Sequence, residues 1–401
     1  MNGRLAAPVA EAKEAALEVL LHNAQGPFRR LPRTAAWGYP EPYTRDMMIA
    51  ALGILTTGNE KLMGALRRTF EALAQNQTEH GHIPGFAHDP RDVGASDTTP
   101  LFLLALAFYR RATGERGFLE AAARKAITWM EYQSPGDQVI VGQLPTTDWR
   151  DEQWVPGFGL FVNSVTYAYL RLYGQEERAA RLRRMMSHFI VQREAKPGHV
   201  VEGLVVPHRP YYALWSYKLY SGDRFDLLGN SLAILSGLAP PQRARAMVRW
   251  VENECQAMRK RYELAVECPP CLFPYIRPGD FDWRPRYAQF NRPGEHHNGG
   301  VWPFVCGFYV VAALAAGFPR LAEEKLAALT ELVRPARDHA VAFGFNEWIK
   351  AQEGTPRGQD WQTWSAAMYL YAAACVERRE VLFFDELLAA RTETKVALPC
   401  P

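Results

Sequence analysis

No run of like charge marks this sequence: 46 lysines and arginines and 43 aspartates and glutamates are scattered along 401 residues. A protein that tracks a phosphate backbone clusters its cations, so nucleic acid is not an expected partner. Long hydrophobic runs are also missing. The longest, Val301 to Ala316, is shorter than the roughly 18 residues a bilayer span requires and contains Pro303 and Gly307, so a buried helix is expected there and no membrane partner. The opening stretch MNGRLAAPVAEAKEAALEVL carries charges where an export signal needs its apolar centre, which makes the cytoplasm the expected location. Cysteine is scarce: Cys255, Cys268, Cys271, Cys306, Cys375 and Cys400. Only Cys268 and Cys271 have the spacing of a metal or redox pair. With no second pair to complete a site, reduced structural thiols are expected, and neither metal nor cofactor.

What the sequence has is helical periodicity of two alternating kinds. One kind is amphipathic: between Lys61 and Ala74, Leu62, Ala65, Leu66, Phe70 and Leu73 share a stripe while Lys61, Arg67, Arg68 and Glu71 face away. Ala244, Met247, Val248, Val251, Cys255 and Met258 repeat the pattern. The other kind, as in LFLLALAFY from Leu101, is apolar nearly all round and needs cover on both sides. Polar helices are expected near residues 9–23, 60–77, 117–133, 175–192, 241–258 and 319–340, and apolar ones near 44–57, 97–113, 158–173, 224–237, 300–317 and 361–377. No strand ladder is expected. Six outer–inner alternations predict an all-α fold, helical hairpins closed into a double ring, the (α/α)6 barrel, with residues 1–401 as one domain. An open α-solenoid would alternate similarly, but its units tend to match in length and wording, and these do not. Inserts at about 193–223 and 259–299 are expected as long loops, followed at the end of the chain by a short irregular tail.

Each apolar helix is preceded or opened by polar and aromatic residues: WGYPEPYTRD from Trp37, SDTT from Ser96, DWRDEQW from Asp148, DRFDLLGN from Asp223, EHHNGGVW from Glu295, and Asn346 to Trp364. In a ring of parallel inner helices these clusters meet at one end and form a pocket. Helix N-termini there favour hydroxyls and carboxylates. The aromatic set Trp37, Tyr43, Trp149, Trp154, Trp302, Trp348, Trp361 and Trp364, mixed with polar groups, suits flat sugar faces and their hydroxyls. Any one tryptophan taken singly is better explained by core packing; it is their number in the same loops that points to a sugar site.

Glycosidic bond cleavage needs two carboxyl groups and no cofactor. Candidates are Asp46, Asp97, Asp148, Asp151, Asp226, Glu295, Glu347 and Asp360. Helix capping accounts for Asp46, Asp97 and Asp360, which stand where inner helices begin. Asp148, Asp151 and Glu347 are left over. The tryptophans beside the two aspartates would raise a carboxyl pKa toward what a general acid needs.

HNGGVWP from His297, RFDLLGNSLAILSGLA from Arg224, YTRD from Tyr43 and GQDWQTWSAAMYLYAA near the C-terminus resemble the alkaline/neutral invertases, glycoside hydrolases with an (α/α)6 barrel that cleave sucrose. The resemblance implies an inverting hydrolase with an aspartic acid as proton donor, matched by Asp151 with Asp148 as the fallback, and a glutamic acid as base, matched by Glu347. It also implies that Arg45, Asp46, Asp97, His297, Asn298, Trp302 and Gln362 are sugar-contacting. This chain departs from the family around the acid, where DWRDEQW replaces Met-Ile-Asp-Arg-Arg and GFGLF replaces Gly-His-Pro-Leu-Glu, so contacts on the leaving-group side differ.

The reading that results is hydrolysis of a small α-glucoside by inversion, with sucrose first and glucosylglycerate, trehalose or a malto-type sugar as alternatives. Inversion predicts carboxyls roughly 6.5–9.5 Å apart. A sugar epimerase on the same barrel would act through His296 and His297, against which stands the expectation that adjacent histidines point in different directions. A non-catalytic sugar-binding protein would keep the aromatic pocket without needing Asp151 and Glu347. Self-association is left open.

Overall fold

The computed structural model describes residues 3–134, 139–186, 209–217 and 220–393. Its helices pair in chain order as outer then inner members: α1 (Gly3–Asn23) with α2 (Thr44–Thr57), α3 (Glu60–Gln75) with α4 (Thr98–Thr113), and α5 (Glu120–Glu131) with α6 (Leu160–Leu172). The sequence continues with α7 (Glu176–Met186) and α8 (Leu227–Leu235), then α9 (Pro241–Lys260), the single turn α10 (Tyr287–Phe290) and α11 (Pro303–Ala315), then α12 (Pro319–Leu332) with α13 (Thr363–Arg378), and ends in α14 (Asp385–Glu393). The inner helices α2, α4, α6, α8, α11 and α13 each pack on the next, and α13 packs back on α2, closing the ring. The fold is an (α/α)6 barrel.

Local chemistry sets the helix ends. Asn59 caps α3 by accepting from the Leu62 N–H at 3.2 Å, a contact that contributes about 1 kcal/mol. Gly58 and Gly114 end α2 and α4 in the left-handed conformation. Prolines open α9, α11 and α12, where their missing N–H has no helical partner to lose. Burial follows the two kinds of periodicity: α11 is buried from Pro303 through Ala313, whereas α3 buries a stripe that includes Leu62, Leu66, Phe70 and Leu73. Gly53 of α2 lies so close to α13 that a Cβ would overlap the Ala367 carbonyl. No described helix is long and apolar enough to cross a membrane.

Strands are present, contrary to expectation. β1 (Phe158–Gly159), β2 (Ala213–Tyr217), β3 (Tyr220–Asp226) and β4 (Leu272–Phe273) form an antiparallel sheet in that order. β5 (Trp348–Ile349) and β6 (Pro356–Arg357) form a hairpin beside Glu347. The reason is local pairing: Trp215 lies opposite Gly222, and the missing Cβ there makes room for the indole. Within the first insert, residues 213–217 and 220–223 are therefore sheet, while 193–208 and 218–219 lie outside the described residues, as do the end of the helix expected at 175–192 and the tail from 394. The second insert is mostly irregular, interrupted by β4 and α10. The apolar segment at 224–237 starts as strand and turns helical only at Leu227.

Candidate active site

A cavity of about 120 Å³ opens where the inner helices begin. The start of α2 supplies Tyr43, Arg45 and Asp46; the loop before β1 supplies Trp149 and Asp151; the approach to α11 supplies His296, His297 and Trp302. Glu347, Gln362 and Trp364 come from the approach to α13 and its first turn, and Thr34 and Tyr39 complete the wall.

Asp46, Asp151 and Glu347 share this space. The nearby cation is Arg45, already paired with Asp97 through two bonds of 2.5 and 3.0 Å. Burial raises the Glu347 carboxyl to about 7, reinforced by Asp151 and opposed by the Gln359 N–H it accepts at 3.2 Å. Asp46 is pushed up to about 8, by burial first and then by Glu347 and Asp151, against the pull of Arg45. Asp151 projects into the opening, its side chain 65% exposed, yet the surrounding walls still raise its pKa. Burial raises Tyr43 to about 12, and Glu347 is the main reason Tyr39 also rises. His297 sits 3.9 Å from Asp151, stacked on Trp302, and burial keeps its ring neutral. Buried polar atoms without a hydrogen-bond partner gather around the cavity: Trp149 Nε1, Trp364 Nε1, Gln362 Oε1 and the Nδ1 atoms of His296 and His297.

Both central carboxyls are held by their loops. The Glu347 N–H donates to the Gln359 carbonyl at 3.0 Å, and Val301 and Ile349 exchange backbone bonds just beyond. Gly358 is needed there, because a Cβ would meet the Glu347 side chain. The Asp151 turn is tied to the second insert: Asn291 donates to the Glu152 carbonyl at 2.6 Å, Arg286 pairs with Glu152 at 2.7 Å, and the Trp154 N–H donates to the Tyr287 hydroxyl at 2.7 Å.

Several candidates lie elsewhere. Asp148 is behind the wall, bound to Arg150 at 2.8 Å, and Arg150 also meets Asp226 at 2.9 Å. Burial alone would raise Asp148, but Arg150 holds it below its usual value, the reverse of the expectation from its tryptophan neighbours. Asp97 occupies a cap position without capping, its carboxylate taken by Arg45. Asp46 lies inside the first turn of α2, and Asp360 receives the N–H groups of Arg337, Asp338 and His339, so none of the three caps a helix as expected. Asn298 bonds the backbone of Ile276 and Asn291. Glu295 pairs with Lys350 at 3.0 Å. Trp37 stacks on His339, Trp361 bonds the Phe343 carbonyl, Trp348 packs on His296 and Trp154 lies under Arg284; none of these four lines the cavity. The two histidines do not diverge: their rings lie 3.9 Å apart and both line the wall. Tyr39 and Thr34 were missed, although Tyr39 belongs to the cluster that supplied Tyr43.

A larger cavity, about 710 Å³, lies across the 141–158 loop and has no carboxylate among its described lining residues, whereas the smaller one brings three together, so acid–base chemistry points to the smaller one. Among the described residues no group of three or more histidine, cysteine, aspartate or glutamate side chains is placed to hold a metal ion. Cys268, Cys271 and Cys306 are buried free thiols.

The family described as alkaline and neutral invertase matches residues 187–378, a stretch that contains Glu347 but not Asp151, narrower than the scattered motifs suggest. A probable alkaline/neutral invertase A, chloroplastic, of Arabidopsis thaliana is 25% identical over 169 residues, 41% of this chain and 25% of the relative. Cytosolic invertase 1 of Oryza sativa subsp. japonica is 27% identical over 163 residues, 38% and 26% of the two chains. The matched stretch thus spans about a quarter of the length of these relatives. Among solved structures, a mannosylglycerate hydrolase from Thermus thermophilus, in complex with Tris and D-glycerate, superposes with a TM-score of 0.65 at 17% identity, covering 90% of this chain and 99% of that one. A glycosidase variant in complex with glucose gives 0.63 at 14% identity, covering 94% and 99%. These structures share the fold.

Proposed function

We propose that this chain, a divergent relative of the alkaline and neutral invertases, is a cofactor-free glycoside hydrolase that cleaves a small α-glucoside with inversion. The observation that carries the reading is the meeting of Asp46, Asp151 and Glu347 in one aromatic-walled cavity, with Glu347 raised to about 7. Asp151, whose pKa burial raises, gives its proton to the glycosidic oxygen as the bond to the anomeric carbon breaks. Glu347, ionised, takes a proton from the water that attacks that carbon from the opposite face. Asp46 and the Arg45–Asp97 pair, with the unpartnered polar atoms of Trp149, Trp364 and Gln362, receive the sugar hydroxyls, and the indole faces pack against the ring. Sucrose is the first substrate, supported by the invertase relatives; glucosylglycerate, trehalose and short malto-type sugars follow, and mannosylglycerate, a mannoside, is added to the panel as the outside case because a hydrolase of that compound shares the fold. The cytoplasm is the proposed location.

The test is sugar release from that panel by wild type and Glu347→Gln, with the anomer of the product followed by NMR. Prompt β-glucose from wild type, with a loss of roughly a hundredfold or more in Glu347→Gln, is expected. Activity that survives Glu347→Gln but not His297→Ala would overturn the hydrolase in favour of an epimerase acting through the paired histidines.

A further inference from the structure

The larger cavity, about 710 Å³, is bounded by the turn before α4, the end of α5, the 141–147 loop and the edge of the sheet. Among the described residues its lining contains no aspartate, glutamate, lysine or arginine, and burial lowers its one described histidine, His82, to about 4, so the ring is neutral at ordinary pH. A charged ligand finds no counter-ion among these residues. Four rings, Trp129, Tyr132, Phe158 and Tyr217, contribute to the wall, and amide and hydroxyl side chains including Gln133, Gln143 and Thr147 stand among them. Tyr132 and Leu144 leave 77% and 73% of their surface bare. Two lining side chains, His82 and Gln143, each hold a buried polar atom without a hydrogen-bond partner, Nε2 and Oε1, a costly arrangement that a bound partner relieves.

We propose that this cavity is a second, non-catalytic site for a neutral mono- or disaccharide. Sugars combine an apolar face for aromatic rings with hydroxyls for uncharged amides, and the volume is within the range of small-molecule sites. The site shares a wall with the first: Gln143, which lines it, donates to Asp148 at 3.1 Å, and Asp148 begins the turn that carries Asp151. The inference rests on the hydrolase reading only for the choice of sugars to try.

The experiment is calorimetric titration of D-glucose and of sucrose into Glu347→Gln, alone and combined with Tyr132→Ala or Trp129→Ala. Two binding events are expected in the single variant, one of them weakened about tenfold or more by either added substitution while the other is unchanged. Tyr132 is exposed enough for its replacement to leave folding intact, which an unchanged melting temperature checks. A single event in Glu347→Gln, or two events indifferent to both substitutions, overturns the second site. Two events without any sugar hydrolysis by wild type sink the hydrolase reading alone; hydrolysis with a single event sinks the second site alone.

Discussion

Glu347 and Asp46 are carboxyls that the fold makes hard to ionise, at about 7 and about 8. If Glu347 works as the base, the rate rises with pH through about 7 as it ionises; a profile flat from pH 5 to 8 contradicts that assignment. Stability has the opposite slope. Below the unfolded carboxyl pKa both states are protonated and nothing is lost. As pH climbs toward 7 the folded protein retains a proton the unfolded chain has given up, so stability falls across that window. Glu347→Gln is therefore expected to melt higher than wild type at pH 8 and to lose that advantage near pH 5, measured by calorimetry. Asp148 gives a third prediction. Arg150→Met should cost about 3–5 kcal/mol in urea unfolding, since it strands Asp148 and Asp226 without their cation. Asp148→Asn should reduce the rate far less than Asp151→Asn; equal losses would restore Asp148 as a donor. Asp151 and Glu347 were legible in the sequence because no helix end or nearby partner accounts for them. Which of two aspartates three residues apart meets a buried arginine was not legible, because the other partner of Arg150, Asp226, comes from the end of the distant β3.

Among the elements, the inner and outer helices could be read off because apolar coverage differs between them: complete on α11, one stripe on α3. The sheet could not. Its strands are two to seven residues long and pair across distant segments, so no one of them shows a period long enough to stand out from the loops. Polar groups from the starts of α2, α11 and α13 and from the loop before β1 meet in one cavity, as expected, yet the clusters before α4 and α8 do not line it, and neither do four of the seven tryptophans expected there. The closest helix contact yields a sharp test. Gly53→Ala pushes α2 off the Ala367 carbonyl of α13 and is expected to cost roughly 1–3 kcal/mol in urea denaturation. An unshifted midpoint would mean that the two helices do not approach so closely.

At the scale of the whole molecule, every inner helix has two inner neighbours, so no segment of the ring is free to open alone. Far-UV circular dichroism and tryptophan fluorescence are accordingly expected to report one coincident urea transition, and transitions that separate would divide the ring into independent units. The contact between α2 and α13 also bears on how the protein is made. A ribosome releases α2 early and α13 near the end, so the apolar flank of α2 that α13 will cover has no native partner through most of synthesis. Glu347 emerges just ahead of α13, long after Asp151. A nascent chain therefore carries Asp151 without Glu347, and its cavity is complete only when the last inner helix arrives.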